Sequence, residues 1–336
     1  MTTHTIIGGG SLGLLLAGRL AEAGHSVTVI TRTEEQAAQL SKDGITIEEG
    51  VSASRTVVTV PVRAMTMAAG VEAGAAGETP SAERIVLLAV KQTALTEAFL
   101  AELARVVPAG GALALFQNGV GHVEKLAQAL PGRTLIPAVT TEGALRIGPA
   151  KVRHTGIGEI RLGEWGLSHD GESASEAENS RADRLTIRDA LIRSLMDAGF
   201  SVNLSNKLEE ALWRKLLINA VINPLTAILR VRNGELTATQ ERLELMRAVF
   251  DETYGILRMQ GLTDDAEELW LTVLAVCDKT KDNESSMLQD VKAGRETEID
   301  AINGAIGRMA AGSGCEAPWN EAVAALVKAT YSFKGD

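Results

Sequence analysis

Cysteine is scarce in this chain: Cys277 and Cys315 are the only two among 336 residues, too few for a disulfide framework. Neither has a second Cys or a His close by in sequence. The five histidines, His4, His25, His122, His154 and His169, include no pair at ligand spacing, and the plentiful carboxylates form no calcium-loop pattern. No metal is expected. Positive charge is also in deficit: 33 Lys and Arg against 43 Asp and Glu leave a net charge of −10. That balance argues against a nucleic acid or an anionic membrane surface as the main partner, though a pocket with a few local donors still accommodates a small anion. Charged residues break the longest apolar stretches short of a membrane span. No basic leader with a small-residue cleavage site precedes the first strand pattern, so the expected compartment is the cytoplasm.

What is present is ordinary for a soluble protein, 45% hydrophobic and 23% charged, and the length suits two domains with substantial cores. Thr5–Ile7 is apolar and β-branched, Gly8–Gly10 follows at once, and Leu12–Ala23 has helical spacing up to Gly24. Ser26–Ile30 alternates as a strand, and Glu34–Leu40 reads as helix. Strand, Gly-rich turn, helix, strand, helix is the start of a parallel doubly wound sheet. Short strands are expected between Ile45 and Val62, and a loop or loose helix over 67–80. Ile85–Val90 is a continuous apolar run suited to a strand buried on both faces. Helix, strand, helix and strand follow at Leu95–Val106, Ala112–Phe116, Val123–Leu130 and Leu135–Val139. Alternation from Thr140 to Leu162 predicts antiparallel strands at one edge of the sheet. The Ser- and Glu-rich segment 168–183 predicts a surface loop, Leu185–Ala198 a helix, and Phe200–Leu204 a closing strand. Beyond Asn206 the pattern is nearly all helical. The expected class is therefore α/β: a Rossmann-type doubly wound sheet over residues 1–205, then an all-helical domain over 206–336.

Gly8-Gly9-Gly10-Ser11-Leu12-Gly13 fits the dinucleotide fingerprint G-x-G-x-x-G in the required strand-to-helix context. Gly8 permits the tight turn, Gly10 lets a pyrophosphate approach the backbone, and Gly13 lets helix and strand pack closely. The helix N-terminus then offers free N–H groups to the phosphates. The same letters spell G-x-S-x-G around Ser11, but a hydrolase elbow sits on a later, central strand, and no Asp-then-His pair completes a triad. At the end of the second strand, where an NAD site carries Asp or Glu, the chain has Thr31-Arg32. An acid there would repel a 2′-phosphate, whereas Arg32 can hold one, which points to NADP. The alternative is a solvated arginine paired with Glu34 or Glu35. Lys91-Gln92 and Gln117-Asn118-Gly119 each follow a parallel strand at its carboxyl end, where open α/β sheets bind ligands. Asn118-Gly119 serves equally as a plain turn.

The richest stretch is NKLEEALWRKLLINAVINPLT, Asn206–Thr226. Asn206 and Glu209 resemble a capping box at a helix start. Lys215, Asn219 and Asn223 fall at i, i+4 and i+8, nearly one line along the helix. Pro224 predicts that the helix ends or kinks there. Spacing alone leaves two readings: a packed helix with satisfied amides, or a site in which Lys215 donates a proton and the amides orient a polar substrate.

LWRKLLINAVINPLTA and SSMLQDVKAGRETEIDAINGAI (Ser285–Ile306), with GGGSLG, Arg32, AVKQ, QNGVG and TTEGA in order, resemble the ketopantoate reductase (2-dehydropantoate 2-reductase) family along essentially the whole chain. The resemblance implies NADPH-dependent reduction of a small 2-keto acid, ketopantoate, to pantoate, a step in pantothenate biosynthesis. It implies a fold in which a cleft between a Rossmann domain and a helical domain holds the site. It implies that Lys215 is the general acid, a role suited to a cation beside a developing alkoxide. Asn118, Asn219, Asn223, Asn233 and Ser286 match substrate-contacting positions, with Asn283 an additional polar contact. Gly8, Gly9, Gly10, Ser11, Leu12, Gly13, Arg32, Lys91, Asn118, Ala144 and Glu298 match cofactor-contacting positions. Glu298 also reads simply as a helix-surface charge. Segments 67–80 and 168–183 look like insertions relative to compact family members. Another branched 2-keto acid as substrate, or an NADPH-binding sensor without turnover, remain the alternatives. Apolar helix faces in the C-terminal half are compatible with a homodimer.

Overall fold

The computed structural model describes residues 2–49, 56–75, 84–163, 174–205 and 207–330. Its elements run β1 (Thr3–Ile7), α1 (Ser11–Glu22), β2 (Ser26–Thr31), α2 (Glu34–Asp43), β3 (Ile45–Glu49), β4 (Thr56–Val60), β5 (Arg63–Thr66), α3 (Met67–Ala75), β6 (Arg84–Leu88), α4 (Glu97–Val106), β7 (Ala112–Leu115), α5 (His122–Ala129) and β8 (Thr134–Thr140). They continue with β9 (Gly143–Gly148), β10 (Lys151–Gly156), β11 (Ile160–Leu162), α6 (Ala174–Asp197), β12 (Val202–Leu204), α7 (Leu208–Leu229), α8 (Gln240–Met259), α9 (Ala266–Lys279), α10 (Ser286–Lys292), α11 (Asn303–Gly312) and α12 (Pro318–Thr330).

The chain divides into two compact units. One comprises Met1–Gln117 with Val123–Leu208, the other Asn118–His122 with Glu209–Asp336. The first is built on an eight-stranded sheet of order β12-β11-β8-β7-β6-β1-β2-β5. The run from β5 to β8 is parallel throughout. Strand order reverses between β1 and β6, and at such a switch point carboxyl-end loops diverge to leave a ligand crevice. Apolar β-branched strands pack on both faces: Ile6, Val29, Ile85 and Leu87 meet α1 through Leu14 and Leu16, while Ile7, Ile30, Val86 and Leu88 meet Leu100 and Leu103 of α4.

Two expectations are corrected here. Of the strands between Thr140 and Leu162 that follow β8, only β11 joins the main sheet, antiparallel to β8 and one strand in from the β12 edge. The β9–β10 hairpin joins β3 and β4 in a separate sheet of order β4-β3-β10-β9. Alternation fixes a strand's two faces but not its partner. The segment expected to be a loop over 168–183 is helical from Ala174, as part of α6; its Ala, Glu and Arg content favours helix as readily as coil, and 168–173 lies outside the described residues. Of the 67–80 segment, Met67–Ala75 is helix α3, and the rest lies outside the described residues.

The second unit is helical. Its core gathers Leu216, Leu217, Ala220 and Val221 of α7 with Phe250 of α8, Val273 of α9 and Ile306 of α11. Pro224 neither ends nor caps α7, which runs on to Leu229. The helix also reaches the length and hydropathy of a membrane span, 1.2 over its most apolar window, contrary to the sequence expectation. With 61% of that window buried in the protein, its apolarity belongs to a core helix.

Candidate active site

The candidate site in the sheet unit is made of backbone, at the glycine turn after β1. At Gly8, φ is +122° and an added Cβ would lie 2.9 Å from the Ala89 carbonyl, so only glycine suits the turn. A Cβ on Gly13 would overlap the Gly8 carbonyl oxygen, which is the close helix–strand packing the third glycine permits. Gly10 differs: its missing Cβ faces open space, with no atom within 4 Å. No side chain caps α1, and its first turn has no acid, so the helix offers N–H groups and positive potential to an anion. These residues fit a dinucleotide's pyrophosphate.

The separate small sheet supports this turn. Arg146 of β9 donates its backbone N–H to Ser11 Oγ at 3.0 Å and its Nη1 to Gly9 O at 3.3 Å. Gln36 of α2 donates Nε2 to Gly9 O and Pro149 O, both at 2.8 Å. Ala144 lies in the same β9 strand, opposite His154. Sequence reasoning did not identify Arg146 or Gln36 as supports, since nothing in their spacing relates them to the turn. Leu12 packs against the sheet core. Arg32, just past β2, is exposed and has no ion-pair partner among the described residues, Glu34 and Glu35 included. Lys91 is partly buried and precedes the short 3₁₀ turn Gln92–Ala94. The buried Gln117 amide, just past the carboxyl end of β7, makes no hydrogen bond among the described residues, an open polar group where such sheets bind ligands.

The helical unit holds the side-chain chemistry. Lys215, Asn219 and Asn223 lie along α7, spanning about 12 Å at 1.5 Å per residue. Lys215 is partly buried and Asn223 buried. Burial pulls the Lys215 ammonium down to about 8, against the opposing pull of the Glu298 carboxylate. Glu298 is buried and accepts from Asn118 Nδ2 at 3.2 Å. Asn118 arrives on a loop stapled to the helical unit: Val120 N–H donates to Ala301 O at 3.2 Å, and Gly119, with φ +79°, passes so close to Ala301 that a Cβ would overlap its carbonyl. The structure thus brings Asn118, Lys215 and Glu298 into one cluster. The 3₁₀ turn Ile299–Ala301 follows Glu298 directly, and the simple surface-charge reading of this acid does not hold. His122, at the end of the same loop, is a neighbour the sequence did not identify. It is buried, and burial followed by the Lys215 charge lowers it to about 4.

Asn233 and Asn283 meet through the backbone, Asn233 N–H donating to Asn283 O at 3.0 Å. Asn233 Nδ2 donates to Thr280 Oγ1 at 2.9 Å, while its buried Oδ1 has no partner among the described residues. Ser286 is exposed at the first turn of α10. Its neighbour Ser285 is the buried residue; Ser285 Oγ accepts from Leu288 N–H and shares a 2.6 Å hydrogen bond with Thr226. An acidic or cationic donor flanked by amides can bind and protonate a polar oxygen, and the cluster contains each part.

Two family models match the chain, one described as ketopantoate reductase PanE/ApbA over residues 4–166 and the other as ketopantoate reductase PanE/ApbA C terminal over residues 207–331. The chain is 35% identical over 325 residues to a 2-dehydropantoate 2-reductase of Bacillus subtilis, covering 96% of each. A crystal structure of a probable 2-dehydropantoate 2-reductase from that organism aligns with a TM-score of 0.71 at 33% identity, over 98% of this chain and 99% of the other. D-mandelate dehydrogenase, solved with NADH and anilino(oxo)acetate, shares the fold at a TM-score of 0.79 and 23% identity, over 98% of both chains.

Proposed function

Because the chain belongs to the ketopantoate reductase family and is an oxidoreductase of the nicotinamide-dependent kind, we propose that it reduces 2-dehydropantoate to pantoate with NADPH. In this reading residues 1–205 bind the nucleotide and 206–336 the keto acid. One observation carries it: a lysine lowered to about 8 stands among Glu298, Asn118 and the amides of its own helix. At neutral pH Lys215 is still mostly protonated, yet poised to lose its proton.

When bound, the reduced nicotinamide supplies a hydride to C2. Lys215 Nζ gives its proton to the carbonyl oxygen as negative charge grows there, so the keto carbon ends as an alcohol and the lysine as a neutral amine. Glu298 favours the charged form of Lys215 between turnovers. Asn219, Asn223, Asn233, Asn283 and Ser286 are assigned to substrate. Gly8 through Gly13, Lys91 and Ala144 are assigned to the nucleotide, Asn118 to both, and Glu298 to the cofactor side as well as to Lys215. Arg32, exposed and without an ion-pair partner among the described residues, supports a 2′-phosphate and hence NADP.

The test follows NADPH absorbance with purified protein and a panel of 2-keto acids, beside Lys215→Ala. Turnover of ketopantoate that falls about 10²–10⁴-fold in the variant, with nucleotide affinity retained, is expected. Preference for another keto acid overturns the substrate. Tight NADPH binding without any turnover overturns catalysis in favour of a sensor. Turnover that survives the substitution removes Lys215 as the acid.

A further inference from the structure

Pro224 has no backbone N–H, so the carbonyl of Ala220, one turn earlier in α7, has no helical donor from that position. Ala220 is fully buried, and a buried carbonyl left open destabilises the fold around it. The gap is filled from another helix. Asn303, at the start of α11 and without exposed surface, donates Nδ2 to Ala220 O at 2.9 Å and to Asn320 Oδ1 at 2.9 Å. Both hydrogens of its amide are thereby used. Asn320 of α12 is fixed in turn, donating Nδ2 to Glu252 Oε1 at 2.8 Å and to Thr253 Oγ1 at 3.0 Å, and its backbone N–H to Glu252 Oε1 at 2.8 Å. A chain of hydrogen bonds thus runs from α8 through α12 and α11 to the interrupted point of α7.

That point lies inside the polar stripe. Ala220 directly follows Asn219, and Pro224 directly follows Asn223. On the far side of the proline, Thr226 Oγ1 lies 2.8 Å from Ile222 O and 2.9 Å from Asn223 O, and pairs with Ser285. Proline within a helix ordinarily kinks it, and a kink here would turn Asn223 away from the line of Lys215 and Asn219.

We propose that Asn303 is a positioning residue of this site: by donating to Ala220 O across the proline gap, it keeps Asn223 in line with Asn219 and Lys215. The inference rests on the reductase reading for its catalytic consequence.

The test is a double-mutant cycle between Asn303→Leu, which removes the donor at similar volume, and Pro224→Ala, which restores a helical N–H to Ala220 O. Asn303→Leu is expected to lower kcat about tenfold and raise the keto-acid KM, with NADPH affinity unchanged. In the Pro224→Ala background the same substitution is expected to cost less than about threefold, because the helix supplies its own donor. Equal losses in both backgrounds overturn the proposal. Asn303→Ser, too short to make the bond, is measured beside it and serves if the leucine variant does not fold. The cycle is also read without substrate, from the Lys215 amine titration by NMR. Should the wild-type protein turn over no keto acid, the reductase reading fails. Coupling of Asn303 and Pro224 in that titration then still supports the positioning role, and its absence refutes it.

Discussion

In the proposed reading, the glycine turn and the α7 stripe are two solutions to the same problem, holding a small polar ligand in a fixed place. The turn solves it with backbone: Gly8, Gly10 and Gly13 matter for the atoms they lack, and an uncapped helix start supplies the attraction. The stripe would solve it with side chains, on a helix that receives hydrogen bonds from Asn303 of α11 and from Ser285, which caps α10. A backbone site is local and tolerates no added atom. A side-chain site draws on distant residues and is adjustable through them.

The sharpest way to break this contrast is to add one methyl group at two places in the turn. Gly13→Ala drives a Cβ into the Gly8 carbonyl, so the free protein is expected to lose about 1–3 kcal/mol or more in urea unfolding, and nucleotide binding with it. Gly10→Ala meets nothing within 4 Å. It is expected to leave unfolding within about 1 kcal/mol of wild type, yet to weaken NADPH binding strongly, read by nucleotide fluorescence. If Gly10→Ala binds NADPH normally, the open space at Gly10 is not the pyrophosphate's.

The next effect is smaller and tests selectivity. Arg32→Glu exchanges a cation with no ion-pair partner among the described residues for an anion where the 2′-phosphate reading puts that group. NADPH affinity is expected to fall about 10–100-fold and NADH affinity little, since one charge-assisted contact is worth about 1.5–3 kcal/mol. Equal losses for both nucleotides would show that Arg32 does not read the phosphate.

The same contrast explains what could be read in advance. The turn was legible because glycines at fixed offsets between a β-branched strand and an apolar helix state their own geometry. Lys215, Asn219 and Asn223 were legible as a line because helical periodicity is local. The supports were not. Asn303 is 83 residues from Ala220 and Arg146 is 135 from Ser11; Asn118 and Glu298 were named through the family resemblance, but their pairing across 180 residues was not, since no spacing rule spans such separations. Pro224 shows the same limit: its local rule says end or kink, yet α7 runs on to Leu229, with Asn303 of α11 donating to Ala220 O. The β9–β10 hairpin shows the limit for sheets, since its alternation was visible while its choice of β3 over the main sheet was not.

The smallest effect sets activity and stability of the side-chain site against each other. Lys215 stands at about 8 in the folded protein, chiefly through burial, against an ordinary 10.5. As the acid it must carry its proton, so kcat/KM for reduction is expected to be level below about 8 and to fall as pH rises through it. Stability runs the other way. Between 8 and 10.5 the unfolded chain binds more protons at this residue than the folded one, so unfolding free energy gains with pH across that window and the full penalty stands below it. Comparison with Lys215→Met isolates the residue from the other lysines. The variant's stability relative to wild type is expected to shrink by about 2 kcal/mol between pH 8 and 10.5, measured by urea unfolding at each pH. A flat difference would mean that Lys215 is solvated in the folded protein. Glu298 pulls against burial, and Glu298→Gln should therefore move both curves toward lower pH together, because one protonation equilibrium governs them both.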